Sequence, residues 1–299
     1  MGKSDLLVFL LLAGCVPTVG NPASLITKER IIGVRAEPAE AAPGDMIEYT
    51  SLVVSPLGTV DAQNLSWSLC NLREPVAENT PVSQACLTGE LPQAALGNDV
   101  SLRTPSSACV SFGPLAPPSS KGTLRPTDPD ATGGYYQPIR LDRGAQQAIF
   151  RERLRCDLAG ASLLMSQEFR TRYPINQNPK LAGLTAFVDG NPIPLDSLPA
   201  SQRISLAVDW LPDSTESYPV FDSASQTIAD HREALWVSWY VTAGGFDDAV
   251  TGRGENDSET SAENLWQSPS AAGAVFLWLV LHDSRGGADF ALYTLTVAL

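Results

Sequence analysis

Ile204, Leu206, Val208 and Trp210 alternate with Ser205, Ala207 and Asp209, and that period of two suits an extended strand with one buried face, not a helix. Leu65, Trp67 and Leu69 repeat the pattern against Ser66 and Ser68, as do Tyr293, Leu295 and Val297 against Thr294 and Thr296. The runs are short. They are punctuated by 23 glycines and 23 prolines spread along all 299 residues instead of being gathered in blocks. Frequent turns between short alternating runs leave little room for helices, so the chain is expected to be all-β.

Two stretches open in the same way. Residues 30–38 read as a strand, Pro43-Gly44-Asp45 as a turn, residues 46–54 as a second strand and residues 65–69 as an alternating third. Residues 178–181 continuing through 184–188, the turn Asp189-Gly190-Asn191, and the strands at 204–210 and 235–241 follow the same order. Val237-Ser238-Trp239 echoes Leu65-Ser66-Trp67, with an insertion lengthening the second unit. In the long middle of the first unit, residues 87–139 are rich in Pro, Ser and Thr and are expected to wander over the surface. Residues 147–156 place Phe150, Leu154 and Cys156 on one face and Arg151, Arg153 and Arg155 on the other. That alternation suits a strand that closes the first unit. Residues 161–172, with Leu164, Glu168 and Arg172 at i+4 spacing and Pro174 as a stop, are expected to form a connecting helix. Residues 274–281 and 290–297, joined by a turn over 283–289, form the last hairpin.

Asn264, Trp266, Pro269, Asp283, Gly286 and Gly287, together with Val34-Arg35-Ala36-Glu37-Pro38 and Pro43-Gly44, resemble the motifs of immunoglobulin-like and PKD-like modules of bacterial surface proteins. The resemblance implies two immunoglobulin-like β-sandwiches in tandem. The first spans 29–158 with a long irregular insertion, a helical connector spans 159–177, and the second spans 178–299. The chain as a whole resembles bacterial lipoproteins of the outer-membrane type that carry two such units. These motifs are structural, so the resemblance implies fold and location but no activity.

The N-terminus carries a separate signal. One lysine precedes an apolar run of eight residues, 6–13, far short of the roughly 20 that a spanning helix needs. Leu12-Ala13-Gly14-Cys15 then reads as a lipobox. Resemblance to lipoprotein signals implies removal of residues 1–14 and a lipid-modified Cys15, whose two or three acyl chains hold a protein stably on a bilayer. Val16 in place of an aspartate leans toward the outer membrane, with the protein on its periplasmic or cell-surface face. Residues 15–28 are expected to be a tether.

With Cys15 acylated, Cys70, Cys86, Cys109 and Cys156 remain, an even set in an oxidising compartment. Three pairings are open, and four free thiols are a further alternative. Cys70–Cys86 with Cys109–Cys156 is preferred because short loops close more easily. No Cys-x-x-Cys spacing points to zinc.

The net charge of −13 argues against nucleic acid and anionic headgroups as partners. The acid is concentrated, with eleven Asp and Glu against Arg232 and Arg253 between residues 213 and 263. Within that stretch Asp247, Asp248, Glu255, Asp257 and Glu259 form a glycine-punctuated loop of hard oxygen donors, a candidate calcium site. Asp128 and Asp130 are a second, weaker candidate. Other acidic loops of this kind are simply solvated. Among the tryptophans, Trp67, Trp239 and Trp278 are expected in cores, while Trp236 and Trp210 are candidates for a sugar-stacking surface. His231 and His282 fall on different elements, and no nucleophile elbow, phosphate loop or zinc-protease motif occurs. The expectation is a non-catalytic envelope module without a cofactor, structural or binding a protein or polysaccharide partner. A calcium-dependent adhesin and a carbohydrate-active hydrolase are the alternatives.

Overall fold

Alternation and turn chemistry place strands in both halves of the chain, and the computed structural model describes residues 23–72, 82–109 and 132–299. The first half contributes β1 (Arg30–Glu37), β2 (Glu40–Ala41), β3 (Met46–Ser55), β4 (Gly58–Thr59) and β5 (Ser66–Leu69). A short helix, α1 (Gln84–Thr88), precedes β6 (Ala95–Leu96), β7 (Asp99–Arg103), β8 (Gly134–Arg143) and β9 (Gln146–Arg155). In one sheet β3 pairs with β1, β7 and β4; the facing sheet runs β2-β9-β8-β5-β6.

A connector helix, α2 (Leu163–Arg172), leads to β10 (Leu181–Val188), β11 (Asn191–Ile193), β12 (Leu198–Pro199) and β13 (Arg203–Trp210). The expected insertion is a two-stranded hairpin, β14 (Ser217–Asp222) and β15 (Thr227–Arg232). The chain then forms β16 (Leu235–Val241), β17 (Gly245–Phe246), β18 (Val250–Arg253), β19 (Ser261–Gln267), β20 (Gly273–Asp283) and β21 (Ala288–Ala298). These pack as β11-β10-β13-β19-β17 over β12-β21-β20-β16-β18.

The two halves correspond strand by strand. Each has a two-residue strand running parallel to its last strand, β2 on β9 and β12 on β21. Each sets its tryptophan strand, β5 or β16, beside the first strand of the closing hairpin, β8 or β20. The echo between Leu65-Ser66-Trp67 and Val237-Ser238-Trp239 is therefore an echo of position. Two facing sheets connected in this order are an immunoglobulin-like sandwich, so the protein is a tandem of two.

Inward side chains fill each core. Ile47, Tyr49, Trp67, Ile139, Leu141 and Leu154 are buried in the first, and Leu206, Val208, Trp239, Trp266, Leu277 and Leu279 in the second. Full burial of each large side chain is worth about 1.5–3 kcal/mol. Trp210 is buried as well, while Trp236 keeps 37% of its surface exposed.

The continuous apolar run in β20 has a cause that alternation alone does not supply. Val275, Leu277, Leu279 and Leu281 point into their own sandwich. Trp278 and Val280, on the opposite face, are just as buried, because they pack against Leu52 and Val54 of the first sandwich and Ile26. A strand covered on both faces reads as uniformly apolar. Tyr240, Phe276 and Phe290 widen this seam, and Trp278 donates its Nε1 proton to Thr59 Oγ1 at 3.0 Å.

Residues expected to lie in a tether help build the same seam. Ser24 O accepts from Val241 N at 2.8 Å and Ile26 N donates to Val241 O at 2.8 Å. This short strap aligns parallel to the end of β16, and Ile26 is only 1% exposed. The apolar side chains of Leu25 and Ile26 explain the departure from a solvated linker, since both leave water on docking.

Candidate functional site

The most densely organised polar region lies where α2 hands the chain from one sandwich to the other. From the first sandwich come Glu40 on β2 and Arg153 on β9, adjacent through the parallel β2–β9 register. Arg153 shares a strand face with Arg151 and Arg155, yet it is only 2% exposed, because the second sandwich and the connector cover that edge of the sheet. Its Nε lies 3.5 Å from Glu40 Oε2, and its Nη2 donates to Thr132 Oγ1 at 2.6 Å and Tyr173 OH at 3.1 Å. Gly134 makes room for it: a Cβ there would sit 2.3 Å from the guanidinium.

From the second sandwich comes Arg285, inside the β20–β21 turn and 1% exposed. It donates to Glu233 Oε1 at 2.7 Å, Glu216 Oε2 at 2.5 Å, Pro174 O at 2.9 Å and Tyr173 OH at 3.2 Å. The Tyr218 ring lies 4.7 Å under its guanidinium. Asp283 shapes the turn by accepting from the backbone N–H of Arg285 at 2.8 Å and of Gly287 at 2.9 Å. A Cβ on Gly287 would fall 2.1 Å from that carboxylate.

The connector ties the halves together. Tyr173 OH donates to Glu40 Oε2 at 2.9 Å while accepting from both arginines. Asn176 donates through its backbone N–H to Glu40 Oε2 at 3.2 Å and through Nδ2 to Asp283 at 3.3 Å. Asn178 donates to Ala36 O of β1 at 2.7 Å and accepts from Ala288 N of β21 at 2.9 Å. Truncating a member of such a buried network so that a neighbouring charge loses its hydrogen bonds costs roughly 3–5 kcal/mol.

Acid outnumbers base here, and the ionisation states shift accordingly. Burial, reinforced by Asp283, pushes the Glu233 carboxyl up to about 7, against the pull of Arg285. Asp283 is also raised by burial. Burial, followed by the nearby Glu40 charge, lifts Glu152 well above the carboxylate range. Neither Glu152 oxygen has a hydrogen-bond partner among the described residues, and Oε1 of Gln137, its cross-strand neighbour, and Oε1 of Glu40 are likewise acceptors without donors there.

The disulfides are Cys70–Cys86 and Cys109–Cys156, with Cα separations of 5.7 and 5.6 Å. The candidate calcium ligands do not converge. Asp247 pairs with Arg203, Asp257 with Arg253 at 3.0 Å, Glu259 with Arg253, and Glu255 with His231 at 3.1 Å. Asp248 interacts through its backbone with Asn264. Among the described residues no three His, Cys, Asp or Glu are grouped to hold a metal ion. Cys15, Asp128 and Asp130 lie outside the described residues. His282 stacks on Trp236 at 5.8 Å, and burial depresses its pKa to about 4.

Sequence reading missed the junction. Its members are separated by up to 245 residues, as Glu40 and Arg285 are, and the only local hint was an arginine inside a structural turn.

No family model matches the chain, and no curated protein matches it. Similar solved structures include domains 4 and 5 of the S-layer protein SbsC, 8% identical over 90% of this chain and 100% of that one, with a TM-score of 0.21. The adhesin InvE of Yersinia pseudotuberculosis is 11% identical over 89% of this chain and 58% of its own, with a TM-score of 0.22. Titin Z1Z2 in complex with telethonin is 11% identical over 91% and 98%, with a TM-score of 0.20. Likeness this distant says nothing about activity, and the fold assignment rests on the strand pairing.

Proposed function

We propose that this chain is a non-catalytic, lipid-anchored protein of the cell envelope, on the outer membrane, whose two sandwiches act as one rigid structural or adhesion-like binding module. The observation that carries the reading is the closed seam. Tandem sandwiches that merely follow one another need no shared apolar core, whereas here Trp278, Val280, Leu52, Val54 and Ile26 are buried between them beside a two-arginine ionic junction. Such a body holds a fixed shape and presents loops at its ends, where recognition normally resides. Lipidation at Cys15 supplies attachment.

The test is expression of the full chain and a Cys15→Ala variant in a lipoprotein-processing bacterium fed radiolabelled palmitate. The native chain should take up label and fractionate with the outer membrane, and the variant should do neither. Equal labelling or equal membrane retention of the two would refute the anchor.

A further inference from the structure

Among the described residues, the arginines of this acidic chain are nearly all held. Some are held by a carboxylate, as Arg140 is by Asp142, some by a backbone carbonyl, as Arg103 is by Gly44, and Arg151 lies over the Tyr136 ring. Arg155 is the exception. Its side chain has no ion pair, hydrogen bond or ring contact among the described residues, and its Nη1 is closed to solvent with no acceptor. A guanidinium does not escape this by losing its proton, since it stays charged throughout the range in which proteins fold.

Arg155 stands on the wall of a cavity of about 500 Å³, between the end of β9 and the connector helix. On the other side, Ser166, Phe169, Arg170 and Tyr173 share one helix face at spacings of three and four. Phe169 and Tyr173 stack with ring centroids 5.1 Å apart. Leu158 and Ile175 continue the apolar lining, and the Cys109–Cys156 disulfide stiffens the remaining side. The Tyr173 hydroxyl is engaged by Glu40 and both junction arginines, which leaves the ring as its contribution to the cavity.

The volume is that of a small-molecule site, and a mostly apolar wall with one free charge is how such sites orient a ligand. The charge is single in effect, because Arg170 already faces Asp157 at 3.4 Å. A neutral occupant would leave Arg155 unpaired, and a polyanion would meet the repulsion of a chain with a net charge of −13. We infer that this cavity binds a small organic monoanion, its acid group paired with Arg155 and its apolar body lying on Phe169, Leu158 and Ile175. The site is independent of the anchor.

The test is fluorescence titration of the purified full chain with anilinonaphthalene sulfonate, an aromatic monoanion. Enhancement should saturate at one site per chain, octanoate should displace the probe, and 1-octanol should not. Arg155→Met should weaken binding about tenfold, as loss of a charged hydrogen-bond partner does; Arg155→Lys should restore part of it; and Ser166→Trp, which fills the space from an accessible helix face, should abolish it. No saturable signal, equal displacement by octanoate and 1-octanol, or undiminished binding by a folded Arg155→Met chain would overturn the assignment. The comparison of competitors uses the unaltered protein, so a variant that fails to fold leaves the inference exposed to refutation.

Discussion

Replacing Glu233 with glutamine should stabilise this protein, and by an amount that depends on pH. The Glu233 side chain is buried beside Arg285 at 2.7 Å, yet its carboxyl titrates near 7 against an ordinary value of 4.5. The folded state therefore binds this proton more tightly than the unfolded chain does. By linkage, the resulting stabilisation is fully present below the unfolded value of 4.5 and is lost as pH rises through about 7. A shift of that size corresponds to about 3 kcal/mol. Glutamine mimics the protonated acid, keeps an oxygen for Arg285 to donate to, and carries no charge to lose. The two proteins should melt together near about pH 4, and the variant should pull ahead by roughly 6–12 °C near about pH 8. Calorimetric or circular-dichroism melts across that range measure the gap. Taking the difference cancels groups that titrate in the opposite sense, such as Asp257, which the Glu259 backbone N–H and Arg253 hold below its usual range. A gap that stays flat with pH would refute the reasoning. So would a variant less stable than the native chain at alkaline pH, since the Glu233–Arg285 pair would then be net stabilising as an ionised bridge.

Two further outcomes follow from the same structure. Trp278→Ala empties the seam between the sandwiches and should cost about 3–5 kcal/mol in denaturant unfolding; a loss under about 1 kcal/mol would mean the sandwiches do not depend on one another. Melting in millimolar Ca²⁺ and in EDTA should give the same midpoint, because Asp247, Asp257, Glu259 and Glu255 already have cationic partners. A calcium-dependent rise of several degrees would show that these pairs yield to a metal.

Periodicity carried the fold a long way. The alternation of Ile204, Leu206, Val208 and Trp210 placed a half-buried strand correctly, and all four residues are buried. The shared tryptophan strand marked the tandem arrangement before any pairing was known. What alternation leaves open is the environment beyond each sheet's second face. Trp278 and Val280 read as part of a core strand, with nothing to say that a second sandwich covers them. Arg153 shows the same gap from the polar side. Its neighbours Arg151 and Arg155 share its face, and only the fold, by bringing Glu40 and Tyr173 over one of the three, decides which is buried. The cavity beside Arg155 was illegible for a further reason: a free guanidinium is defined by the partners it lacks in space.

The strap at Ser24–Ile26 also sets where tension enters. A pull on the chain ahead of Ser24 reaches Val241 of the second sandwich before it reaches Arg30, where the first sandwich begins. While the strap's two hydrogen bonds and the buried Ile26 hold, the sandwich nearer in sequence stays slack and the one farther away bears the strain. Force spectroscopy of the full chain should show this strap releasing as its own early event.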